Sequence, residues 1–185
     1  KRAELAAQER ESLQYASRVA QGYARNPEGW LVLMGGHGCG KTHLAAAIAN
    51  ELLGRGERLL FVVVPELLDH LRSAFSPESP VGYDALFEQV KTVPFLVLDD
   101  LGAQSSTAWA REKLYQIVNY RYNANLPLVV TTPLDVGGDE LDPRLGARLG
   151  DLSISNLAYL KVPGYWDGKP APRVDGPRRE APRRP

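Results

Sequence analysis

The sequence has one cysteine, one methionine and no net charge. A single cysteine cannot build an internal disulfide framework, and it fits a reducing compartment, so a cytoplasmic protein is expected. Lys and Arg number 22, and so do Asp and Glu. That balance excludes a uniformly basic nucleic-acid coat; any DNA contact must come from local patches or from assembly. No apolar run approaches the roughly 20 residues of a membrane-crossing helix, and no signal peptide opens the chain, so no membrane partner is expected. Core-forming residues are not scarce. With 44% apolar and 24% charged residues among 185, wholesale disorder is excluded and one domain is expected, not two. Lys1 stands where an initiator methionine would, which leads us to expect a longer parent protein.

The zero charge is a sum of unlike parts. Residues 167–185 hold six of the basic and three of the acidic side chains, leaving 16 and 19 before them. That tail has five prolines and only Val174 as an aliphatic residue larger than alanine. Such a stretch cannot bury a core and is expected to be a disordered basic segment. The chain therefore divides into an N-terminal helix or linker at 1–27, a body at 28–166, and the tail at 167–185.

Within the body, strand and helix patterns alternate. Leu13, Ala16, Val19, Ala20 and Tyr23 recur at helical steps until Asn26-Pro27. Trp30–Met34 reads as a buried strand, and Leu44, Ala45, Ile48, Ala49 and Leu52 as the apolar face of a helix. Leu59–Val64 reads as a strand covered on both faces. Pro65 suits the first turn of a helix carrying Leu67, Leu68, Leu71 and Phe75, followed by a loop over Ser76–Gly82. A short helix near Ala85–Val90 precedes a strand at Phe95–Leu98. A long helix shows Ala110, Leu114, Ile117, Val118 and Arg121 on one face. Leu128–Thr132 forms a fourth strand, Arg144–Leu149 a short helix, and Tyr159–Val162 a fifth strand. The alternation predicts an α/β fold: a central parallel five-stranded sheet with helices on both faces.

Between the first strand and its helix lies Gly35-Gly36-His37-Gly38-Cys39-Gly40-Lys41-Thr42. It satisfies G-x-x-x-x-G-K-[ST] in full and in the right context, which marks a P-loop NTPase. Glycines let the backbone amides curl around phosphate oxygens, and the new helix adds positive potential. Lys41 reaches β- and γ-phosphates, and the Thr42 hydroxyl ligates Mg²⁺. ATP and Mg²⁺ are the expected cofactors, held by residues 35–43 from Gly35 to His43. Cys39 and His37 read as loop residues, since no second cysteine offers itself as a partner.

Phe95-Leu96-Val97-Leu98 delivers Asp99 and Asp100 to the carboxyl end of a buried strand, where open α/β sheets bind ligands. Asp99 is the expected Mg²⁺-side carboxylate, and Asp100 the group that orients or deprotonates the attacking water. Thr131 and Thr132 end the neighbouring strand, where a hydroxyl is placed for the γ-phosphate or its water. Arg144 and Arg148 share a face of the short helix and are candidates to reach a neighbouring subunit's phosphate site. Arg121 is a weaker candidate for such a contact. Arg72 and Phe75 offer one cation and one ring to single-stranded DNA.

Four segments carry a family resemblance: Gly29–Met34, the loop through Lys41-Thr42-His43-Leu44-Ala45, Leu96–Gly102, and Leu126–Thr132. Together they resemble the DnaC/DnaI-type helicase-loader and IstB-type ATPase group of the AAA+ superfamily, over about residues 20–165. The resemblance implies an ATP-hydrolysing oligomer, ring or spiral, with each ATP at a subunit interface. It further implies single-stranded DNA and a hexameric replicative helicase as partners, or a transposase for IstB-type members. Thr132 resembles the sensor-1 neighbourhood, and Arg144-Leu-Gly-Ala-Arg148 the arginine-finger segment, Arg148 being the better match. The chain departs from the group in two places. Pro133 stands where the group usually has Asn, and no second sensing arginine or helical lid follows the last strand. The lid is therefore expected to be reduced or absent. These departures favour a different reading, a nucleotide-gated binding module that hydrolyses weakly. A small-molecule kinase would need an acceptor pocket and an arginine-rich lid, which the sequence does not offer.

Overall fold

Alternate strand residues face two separate cores, and this divides the protein into three layers. The computed structural model describes residues 7–75, 82–102 and 107–165. The segment 76–81 of the expected loop, and the tail and lid expectations beyond Tyr165, lie outside the described residues. In chain order the elements are α1 (Ala7–Arg25), β1 (Trp30–Gly35), α2 (Lys41–Gly54), β2 (Leu59–Val63), α3 (Val64–Ser73) and α4 (Tyr83–Thr92). There follow β3 (Phe95–Asp99), α5 (Ala108–Asn123), β4 (Leu128–Thr132), α6 (Pro143–Leu149) and β5 (Ser155–Leu160). The strands form one parallel sheet in the order β2-β3-β4-β1-β5.

Trp30, Val32, Met34, Leu96, Leu98, Leu128 and Val130 point to one core, shared with α3, α4, α5 and α6. Leu31, Leu33, Phe95, Val97 and Val129 point to the other, shared with α1 and α2. The period of two along a strand accounts for the split. On α5, Ala110, Leu114, Ile117, Val118 and Arg121 are all buried, which is the predicted face. In α1 the buried residues are Ala16, Ala20, Tyr23 and Ala24, so this helix packs on the sheet's second face.

Three expectations are corrected. β2 is an edge strand, and each of its residues is only half-buried, not covered on both faces. A parallel sheet's outer strand lacks one lateral neighbour, and an apolar run does not reveal which strand that is. β5 starts at Ser155, four residues earlier than its apolar signal, because pairing with β1 begins there opposite Trp30. As the other edge it tolerates Ser155 and Asn156, and the Ser12 hydroxyl of α1 caps it by donating to the Tyr159 carbonyl and accepting the Lys161 amide, both at 2.9 Å. Finally, α3 ends at Ser73, and Phe75 beyond it is 57% exposed.

Candidate active site

The phosphate loop joins β1 to α2 at the carboxyl end of the sheet. Gly40, the residue before α2, has φ +109, a left-handed conformation open mainly to glycine. No side chain caps α2, so the positive end of its dipole is offered to the loop. Lys41 is buried, and its ammonium donates to the carbonyls of Gly35 (2.8 Å) and Gly36 (2.7 Å). Cys39 is buried too, its sulfur 3.9 Å from the Lys41 Nζ, as a small filler beneath the loop. His37 and His43 are exposed.

Helix α2 and the ends of β3 and β4 meet in a chain of hydrogen bonds across the site. The Thr42 hydroxyl donates to the Asp99 carboxylate, 3.0 Å from Oδ1 and 3.2 Å from Oδ2. Thr131 donates to Asp99 Oδ1 at 2.6 Å and accepts the Asp100 amide at 2.9 Å. β4 lies between β1 and β3, which is why its end reaches both motifs. Asp100 has φ +59, in the left-handed region, so the strand turns sharply just after delivering Asp99. A glycine-rich loop, the Lys41 ammonium and a Thr–Asp pair are the set of groups that a nucleoside triphosphate with a hard divalent cation requires.

Thr132 is placed differently from Thr131. Its hydroxyl donates to the Leu101 carbonyl at 2.5 Å and accepts the Leu134 amide at 3.0 Å, shaping the turn through Pro133. Arg144 contacts Asp142 at 3.3 Å and Glu112 at 3.0 Å, and stacks over the Tyr115 ring at 4.4 Å. Its hydrogen bond holds the Glu112 carboxyl below the ordinary range. Arg148 is half-buried, with Nε on Asn119 Oδ1 at 3.2 Å and its guanidinium 4.3 Å from the Tyr122 ring centroid. These contacts are with α5 and the α6 cap; none is with Lys41, Thr42 or Asp99.

Arg121 corrects an expectation. It is fully buried and donates to the carbonyls of Lys91, Val93, Pro94 and Pro127 at 2.5–3.3 Å, so it cannot project into another subunit. Burial draws its guanidinium down to about 10. Its place on the apolar stripe of α5 was the signal for this.

Arg72 and Phe75 are brought together with two rings that the sequence did not suggest. Phe75 stacks on Tyr83 at 4.3 Å, 14° from parallel, and meets Trp109 edge-on at 6.5 Å. The Arg72 guanidinium lies 4.9 Å from the Trp109 ring centroid. No spacing rule links these residues, because they come from three separate elements.

This sheet order, with a glycine loop after β1 and a carboxylate ending β3, defines an α/β P-loop nucleotide-binding protein. The chain belongs to the family of IstB-like ATP binding proteins, which it matches over residues 14–141. It is similar to the replicative helicase loader DnaC of Buchnera aphidicola subsp. Schizaphis graminum, with 29% identity over 160 residues, 86% of this chain and 63% of that protein. It is also similar to the replicative helicase loader DnaI of Bacillus subtilis strain 168, with 34% identity over 152 residues, 75% of this chain and 46% of that protein. The chain thus spans about half to five-eighths of these relatives. A crystal structure of the DnaC helicase loader superposes with a TM-score of 0.69 at 25% identity, covering 81% of this chain and 90% of that one. Among the described residues, no helix is long and apolar enough to cross a membrane.

Proposed function

We propose that the chain is the ATPase body of a helicase-loader-type AAA+ protein, which hydrolyses ATP with Mg²⁺ and assembles as a ring or spiral on single-stranded DNA to place a replicative helicase. The observation that carries the nucleotide part is the Thr42–Asp99–Thr131 hydrogen-bond chain beside Lys41. When bound, Mg²⁺–ATP supplies the scissile phosphoanhydride and the cation that offsets its charge. Lys41 exchanges its two carbonyl partners for phosphate oxygens, and Thr42 and Asp99 hold the cation. Asp100 accepts the proton of the attacking water. Of the two threonines, Thr131 adjoins Asp99, and we assign it the role expected of Thr132. Arg148, with Arg144 beside it, acts on the site of a neighbouring subunit.

For DNA, support comes from Arg72 and the exposed Phe75 ring, stacked on Tyr83 and set against Trp109. The helicase comes from the names of the DnaC and DnaI relatives. In this reading residues 28–166 are the ATP-binding body, α1 (Ala7–Arg25) packs against its sheet, and 167–185 are a basic tail; a cytoplasmic setting follows from this role. Two other readings have a specific observation each. The IstB-like match favours a transposition helper, and Pro133 favours a nucleotide-gated module with weak hydrolysis. One experiment separates them. Full-length protein, with and without Lys41→Ala, is assayed for ATP turnover and for capture of a replicative helicase or a transposase. Turnover that survives Lys41→Ala overturns the site, and a transposase in place of a helicase overturns the loader reading.

A further inference from the structure

The groups assigned in the phosphate loop suit phosphates and a cation, not a nucleoside. The loop contributes backbone amides, the Lys41 ammonium and the Thr42 hydroxyl, and β3 adds the Asp99 carboxylate. A base needs a flat apolar face. β1 and β5 run parallel with Gly35 opposite Leu160, so the loop leaving β1 and the chain leaving β5 exit side by side from one end of the sheet. They then touch. The Tyr165 amide donates to the Gly38 carbonyl at 2.9 Å. The Gly164 Cα lies 3.3 Å from where a β-carbon on Gly38 would stand, and Gly38 itself has φ +70. A side chain at 38 would be strained in that conformation and would crowd Gly164. The chain leaving β5 is thereby fixed to the loop backbone at Gly38, two residues before Gly40 and the start of α2. Tyr165 is 65% exposed and belongs to neither hydrophobic core.

We propose that Tyr165 is the nucleoside-positioning residue of this site, its ring held at the rim of the phosphate loop to stack on the purine of a bound nucleotide. This rests on the nucleotide-site reading above and adds the group that selects a base. Stacking on one ring is worth a factor of about ten in affinity, and it acts on every nucleotide that carries the base, whatever its phosphate count.

Calorimetric titrations with magnesium test this, using ATP, ADP and inorganic tripolyphosphate against the unaltered chain, Tyr165→Ala, Tyr165→Phe and Lys41→Ala. Tyr165→Ala is expected to weaken ATP and ADP alike by about tenfold and to leave tripolyphosphate unchanged. Tyr165→Phe is expected to keep all three affinities. An equal loss for tripolyphosphate overturns the proposal, since Tyr165 would then only shape the loop. Unchanged ATP affinity in Tyr165→Ala, or a loss in Tyr165→Phe as large as in Tyr165→Ala, overturns it too. Lys41→Ala should lose all three ligands. Were it to bind all three normally, the nucleotide site itself would fall, an outcome distinct from any seen at Tyr165.

Discussion

Thr131 donates to Asp99 at 2.6 Å while accepting the amide of Asp100, so one hydroxyl fixes both acidic residues. It orients the Asp99 carboxylate toward Thr42 and satisfies the amide of a residue whose backbone is left-handed. Thr131→Val keeps the shape and removes both bonds. The half-buried Asp100 amide loses this acceptor and the Asp99 carboxylate loses a donor, at about 1 kcal/mol or more. We expect a fall in the unfolding midpoint together with an ATP turnover at least tenfold lower. Thr132→Val, whose hydroxyl serves the backbone of the Pro133 turn, should register first as a stability loss. If turnover drops only in Thr132→Val, the assignment of Thr131 is wrong.

Asp100 separates chemistry from strain. Asn tolerates the left-handed region as Asp does, whereas alanine at φ +59 carries a penalty of about 1–2 kcal/mol. Asp100→Asn should therefore melt like the parent and bind ATP, yet turn it over about 10²-fold more slowly, the low end of general-base contributions. Asp100→Ala should show the same kinetic loss plus a lowered melting temperature. Turnover unchanged in Asp100→Asn makes the carboxylate a spectator.

The sequence reading succeeds where a rule is local. The apolar steps of α5 give its buried face residue by residue, and the phosphate loop is marked by its own spacing. It fails where neighbours decide. β2 and the start of β5 depend on which strands form the edges, a property of sheet order that no run of residues encodes. Thr131 and Thr132 are indistinguishable in a β-branched pair, and only the alternation of faces beside Asp99 tells them apart. Arg121 was legible but outweighed: it sat on an apolar stripe, and its charge suggested a surface.

Arg148 rests against α5 through Asn119 and Tyr122, with no contact to the phosphate loop of its own chain. A role on a neighbour's nucleotide predicts a concentration-dependent loss. Arg148→Ala should bind ATP normally as a dilute monomer and lose the turnover gained on assembly, a factor of about 10³ for such arginines. Mixing Arg148→Ala with Lys41→Ala protein should restore part of the activity, because intact sites and intact arginines then meet at some interfaces. Equal losses at every concentration would place Arg148 in cis.

Arg121 ties the entry of β3 to the entry of β4 by donating to carbonyls on both sides. It has no carboxylate among those partners, so its charge is balanced by backbone dipoles, and burial lowers its pKa to about 10. Two outcomes compete for Arg121→Met. An apolar side chain removes the cost of burying a charge, and replacing a buried ionic group by one of similar volume is sometimes stabilising. Here only the donor is removed, and four carbonyl groups lose their partner in a tightly packed corner. The second effect should win, with a loss of about 3 kcal/mol or more and a melting temperature lower by roughly 10 °C. Arg121→Lys keeps the charge without the planar fork and should recover only part of that loss. ATP affinity should hold in both variants below their melting temperatures, since the contacts lie at the end of the sheet opposite the phosphate loop. A melting temperature unchanged in Arg121→Met would show that the carbonyls find other donors and that the residue is not a staple.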